Sequence, residues 1–93
     1  MKMDKQQRIL IPEFVRDVVG VKREEKYYLI FKSPEKFIIS NRRRSGMVSS
    51  LVLDDKGRIR LPRCVAEVIG TKNIIVYVEE DERGENQIGI SIL

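Results

Sequence analysis

The side chains with the most capacity for chemistry in this 93-residue chain are cationic. Arg8 and Arg58 each stand four positions after an aspartate, Asp4 and Asp54, and each opens a short run that ends at a proline. Lys5 and Lys56 lie in the same two turns, and Arg60 alternates with Arg58 along its run. Arg16 falls within one predicted helix, Arg63 opens another, and Arg42, Arg43 and Arg44 are consecutive. An arginine on a turn or strand can position a phosphate, or read a guanine edge through two parallel hydrogen bonds. The plain alternative for any one of these residues is a solvated surface charge. For Arg8 and Arg58, an Asp-to-Arg pair that braces the turn would explain their recurrence as well.

Other chemistries lack their parts. The chain has no histidine and a single cysteine, Cys64, so the usual zinc ligand sets and an internal disulfide are both excluded. Cys64 is expected on the apolar face of a helix, as a small buried hydrophobe with no base beside it. There is no nucleophile-base pair and no glycine-rich phosphate loop, so the chain is not expected to be an enzyme or to carry a cofactor.

Hydrophobic residues make up 42% and charged residues 34%, the balance of a globular protein of one domain. No apolar run approaches the roughly 20 residues that span a bilayer, and the start MKMDKQQR continues into charge. A cytoplasmic protein without membrane association is expected. The net charge is +4, unevenly spread: residues 1–50 carry twelve Lys/Arg against six Asp/Glu, residues 51–93 six against eight. A basic half points to a polyanionic partner such as double-stranded DNA. The acidic run Glu79 to Glu82 is expected as a solvated hairpin tip.

The elements that must position these residues follow from an internal repeat. DKQQRILIPEFVRDVVGVK from Asp4 aligns without a gap on DDKGRIRLPRCVAEVIGTK from Asp54, and each is followed by two β-favouring runs. Each copy therefore predicts turn, strand, helix, strand, strand. Pro12 and Pro62 close the first strands and open helices of about two turns, which end near Gly20 and Gly70. Phe14, Val15, Val18 and Val19, and their counterparts Cys64, Val65, Val68 and Ile69, are expected on the buried face. The copies span 1–40 and 51–93 with a linker at 41–50. Each is too small to fold alone, so they must share one core as a single domain.

The Asp-x-x-x-Arg turn, the strand ending in Ile/Leu-Pro, the two-turn helix with its glycine and the hairpin together resemble the AbrB/MazE/SpoVT family, including MraZ-like proteins. DDKGRIRLPRCVAEVIG is the closer of the two matches. The resemblance implies a mainly β fold with two short α-helices: a swapped-hairpin (double-split) β-barrel, formed here as an intramolecular pseudo-dimer. It also implies a sequence-specific DNA-binding transcriptional regulator, with Arg8, Arg58 and Arg16 on family contact positions. Departures occur at Asp17, Ala66 and Glu67, often basic in the family, and at Gln7, where Gly57 retains the turn glycine. Lys5, Lys56, Arg60, Arg63 and Arg42 to Arg44 are the other candidate DNA contacts. The alternative is a protein-binding module such as a MazE-like antitoxin, which would have to use another surface, such as Glu79 to Glu82. Apolar strands could also pair between chains, giving a homodimer or a higher homo-oligomer.

Overall fold

In the computed structural model, which describes residues 1–93, both repeats follow the expected element order, with one unexpected strand leading into the second. The first copy supplies β1 (Arg8–Leu10), α1 (Glu13–Val19), β2 (Lys26–Ser33) and β3 (Lys36–Ser40). The second supplies β4 (Met47–Val52), β5 (Arg58–Arg60), α2 (Arg63–Ile69), β6 (Ile74–Glu80) and β7 (Asn86–Ile92). The protein is mainly β with two short helices, and no helix is long and apolar enough to cross a membrane. Its strands form two antiparallel ladders, a β1–β5 ribbon and a five-stranded sheet in the order β4–β2–β3–β7–β6. The ladders do not close into a barrel. β1 and β5 are only three residues long and stop short of Pro12 and Pro62, which have no N–H with which to extend the pairing.

The two copies meet through pairings that map onto themselves when the copies are exchanged. In the ribbon Ile9 faces Ile59, Arg8 faces Arg60 and Leu10 faces Arg58. The Ile11 N–H donates to the Gly57 carbonyl at 2.9 Å, and the Leu61 N–H donates to the Gln7 carbonyl at 2.8 Å. In the sheet, β3 pairs with β7 with Ile38 opposite Gly89. A pseudo-twofold axis therefore passes between Ile9 and Ile59 and between Ile38 and Gly89.

The segment leading into each copy pairs with the other copy's hairpin. Leu51 in β4 stands opposite Tyr27 in β2, and at the related place Met1 exchanges hydrogen bonds of 2.9 and 2.7 Å with Ile74 of β6. Residues 47–50 of the expected linker thus belong to a strand, and the connection proper is Asn41 to Gly46. It joins two parallel strands that flank β2, so it crosses the outer face of the sheet, where Ile30 and Ile38 are buried.

On the inner face, the ribbon and helices close the core. Ile9, Ile11 and Val15 with Ile59, Leu61, Val65 and Ile69 pack against Leu29, Phe37, Ile39, Val76, Ile88 and Ile90. Seven-residue helices cannot persist in water alone, so this packing is what holds them. Their buried face differs from the expected one. Val15, Val65, Ala66 and Ile69 are buried, whereas Phe14, Val18, Val68 and Cys64 are exposed. Each helix is turned by about one position from the apolar stripe; α1 lies against β6 and β7 of the sheet, and the half of each stripe left exposed has nothing packed over it. The inward turn also brings Arg16 to the core rim, where its Nε donates to the Ile11 carbonyl at 3.0 Å.

The two turns show how the halves compensate. Gly57 has φ +79°, and a Cβ there would lie 2.5 Å from Cζ of Arg16. The related residue Gln7 has φ 62°, and Ala66 takes the place of Arg16. Gln7→Gly relieves a left-handed side-chain residue at the cost of a looser unfolded chain, so it should stabilise by about 0.5–1 kcal/mol. Gly57→Gln should destabilise by more than that, since Arg16 must also move. Thermal unfolding of the two variants should show opposite shifts in Tm, and a rise for Gly57→Gln would contradict this account.

Candidate nucleic-acid interface

The same hydrogen-bond set builds both turns. Asp4 Oδ1 accepts the N–H groups of Gln6 and Arg8 at 2.9 and 2.8 Å, and Oδ2 accepts Nε of Arg8 at 2.8 Å. Asp54 does the same with Lys56 and Arg58 at 2.9 and 2.8 Å, and with Nε of Arg58 at 2.9 Å. Both carboxyls are held below their ordinary value, chiefly by the backbone N–H of the paired arginine and further by its guanidinium. The brace and the candidate contact are compatible in one residue. Each aspartate engages Nε and fixes the plane of the guanidinium, leaving the two terminal nitrogens in the fork that suits a phosphate or a guanine edge.

Arg8 and Arg58 come together through the ribbon. Ile9 and Ile59 point into the core, so Arg8, Leu10, Arg58 and Arg60 share the outer face, with Arg60 directly opposite Arg8. Like charges in that position repel, and Arg60 makes no ion pair that would offset it. Lys5 and Lys56 are exposed on the flanking turns. The ribbon face therefore gathers five of the expected cations around the pseudo-twofold axis.

The other candidates lie elsewhere. Arg63 is exposed on α2 and bonds Glu67 at 3.1 Å, and Arg16 is directed inward as described. The linker arginines sit on the far side of the sheet from the ribbon. Arg42 and Arg44 reach Oδ2 of Asp81 through Nη2 at 2.6 and 2.8 Å, and Arg43 stacks on the Tyr28 ring with its Cζ 5.6 Å from the centroid. Asp81 also accepts the N–H groups of Arg83 and Glu85, and only 3% of its side chain is exposed. Burial pushes this carboxyl up, but its N–H donors and Arg42 outweigh that and hold it below the ordinary value. The acidic run is thus a solvated tip only in part: Glu80 and Glu82 are exposed at the end of β6 and in the turn, whereas Glu79 pairs with Lys36 and Asp81 clamps the linker. Lys32 and Arg83 line the groove beside the clamp with Arg43. Nothing in their sequence context pointed to that grouping, which chain crossing alone creates.

The three braced aspartates set a pH dependence. A carboxyl held below its unfolded value of 3.8 contributes stability above that value and loses it as pH falls through the folded value. The urea midpoint of the protein should drop steeply below about pH 4. Asp81→Asn should lower the midpoint at neutral pH and make that acid drop shallower; an unchanged acid slope would mean Asp81 carries none of it. Comparison of the chain with protein-family models, with curated proteins and with solved structures gave no match to any of them.

Proposed function

We propose that the chain is a sequence-specific DNA-binding transcriptional regulator of the AbrB-like type, its two copies forming a swapped-hairpin pseudo-dimer within one chain. The observation that carries this is the outer face of the ribbon, where Arg8, Arg58 and Arg60 surround the pseudo-twofold axis and two of them are held at Nε by Asp4 and Asp54. A two-stranded ribbon is narrow enough to enter the major groove. Arg8 and Arg58 would then read base edges, while Lys5 and Lys56 on the turns would meet phosphates. Binding-site symmetry follows protein symmetry, so the site is a short imperfect palindrome. Its halves are unequal because Leu10 stands where the second copy has Arg60, and Asp55 where the first has Lys5.

A protein-binding role of the antitoxin kind is less well supported, since the acidic segment it would use is engaged internally through Glu79 and Asp81. The two roles separate in a binding experiment with fragmented genomic DNA at two salt concentrations. A common motif should be enriched at the higher salt. Arg58→Ala should cost about 1–3 kcal/mol and relax preference within one half-site. Lys56→Ala should weaken all sequences alike and reduce the salt slope by about one. Retention unaffected by either change would transfer the proposal to protein binding.

A further inference from the structure

Beside α2, an apolar groove of about 280 Å³ is lined by Phe31, Pro34, Val48, Cys64 and Val68. No matching groove exists beside α1. Several related pairs differ, Phe31 and Phe37 of the groove corresponding to Val78 and Ile88, and Val48 lies outside the repeated segment. Where α2 has Cys64, α1 has Phe14, which projects with 62% of its surface exposed, one turn before the half-exposed Val18. The chain thus carries an aromatic projection and an apolar groove that do not meet, because the pseudo-twofold axis holds the two helices apart.

We infer that these surfaces bind each other between molecules, α1 of one copy of this chain seating Phe14 and Val18 in the groove beside α2 of the next. Two apolar side chains at i and i+4 on one helix are the anchors of helix-in-groove recognition. Charge selects the pairing. The exposed face of α1 carries Glu13 and Asp17, while the guanidinium of Arg16 is turned inward, so two α1 faces repel each other. On α2 the position related to Glu13 is Arg63, whose side chain is 86% exposed, and its partner Glu67 holds it only at the surface. An acidic projection therefore meets a rim on which Glu67 is balanced by Arg63, where a second α1 would present Glu13 and Asp17 alone. The contact is head-to-tail, each molecule offering one projection and one groove, and does not depend on the proposed DNA-binding face. A single phenylalanine buries about 150–250 Å², far below the roughly 1,200–2,000 Å² of a stable complex, so association is weak and rises with concentration.

Sedimentation over a concentration series up to the millimolar range tests this. The wild-type mass should climb past the dimer. Phe14→Ser, which removes the projection, and Cys64→Trp, which fills the groove, should each stay monomeric, with circular dichroism checking that each folds. An equimolar mixture should form a one-to-one dimer and nothing larger, because the Phe14→Ser chain still has a groove and the Cys64→Trp chain still has a projection. Alkylation of Cys64 in the wild type should slow severalfold between dilute and concentrated protein, and Phe14→Ser should abolish that slowing. A wild type monomeric throughout, association surviving either substitution, a mixture that remains monomeric, or alkylation independent of concentration would overturn the inference.

Discussion

The structure depends on strands too short to pair stably on their own. β1 and β5 have three residues each, bounded by Asp-braced turns on one side and prolines on the other. They form a ladder only because each copy supplies the other's partner, and the same is true of β3 and β7 across the sheet. Neither helix has the length to stand without the core that these pairings close. Folding is therefore a joint event of both copies, and the arginines of the outer ribbon face exist as a group only after it. A cluster that bridges two distant parts of the chain needs no rigid scaffold beyond the pairing itself.

Pseudo-symmetry ends where the chain must cross from one copy to the other, which happens only once. On the crossed half, Ile30 stands opposite Ile38 and both are buried on the face that Asn41 to Gly46 traverses. The related pair on the other half is Tyr77 opposite Gly89, where no crossing chain is present. There the tyrosine ring lies over the glycine, so closely that a Cβ at residue 89 would be 2.4 Å from it, and its hydroxyl bonds Ser91 at 2.8 Å. An aromatic laid on a strand glycine covers backbone that the linker cannot reach. The same logic of unequal partners governs Arg16 with Gly57, where the second copy has Ala66 and Gln7. Two copies of one unit fold together best when their shared contacts are complementary in size.

The repeat was legible because its signals are local: aspartate before arginine, proline after a β-run, glycine after two helical turns. Those signals place β1, α1, β5 and α2 where the structure has them. The edge strand β4 is not legible as a strand, its first residues falling in the expected linker at 41–50, since what makes it a strand is the side of β2 that the crossing connection reaches. The buried face of the helices differs by one position from the apolar stripe because periodicity gives the width of a stripe, not which part of it finds a partner. The exposed Phe14 and Cys64 follow from that rotation. At the candidate interface, the recurrence of Arg8 and Arg58 was visible, while the placement of Arg60 opposite Arg8 needed the register.

The charge imbalance between the halves has a similar origin. Twelve cations against six anions in residues 1–50 and six against eight in residues 51–93 suggest a basic surface offered to a partner. Much of the imbalance is instead consumed within the fold: Arg42 and Arg44 of the basic half hold Asp81, Arg42 also reaches Glu85 at 3.6 Å, and Lys36 holds Glu79. These contacts fasten the connection to the second copy's hairpin and favour pairing within one chain, since the linker that spans the copies is itself bonded to the far one. Among the cations left without a carboxylate partner, Arg60 on the ribbon with Lys5 and Lys56 on its turns form one group, and Arg43, Arg83 and Lys32 beside the clamp form another. Net charge therefore misstates where a polyanion would be attracted. The locus is set by which cations the fold leaves unpaired, and on the ribbon those residues stand beside two arginines already oriented by aspartates.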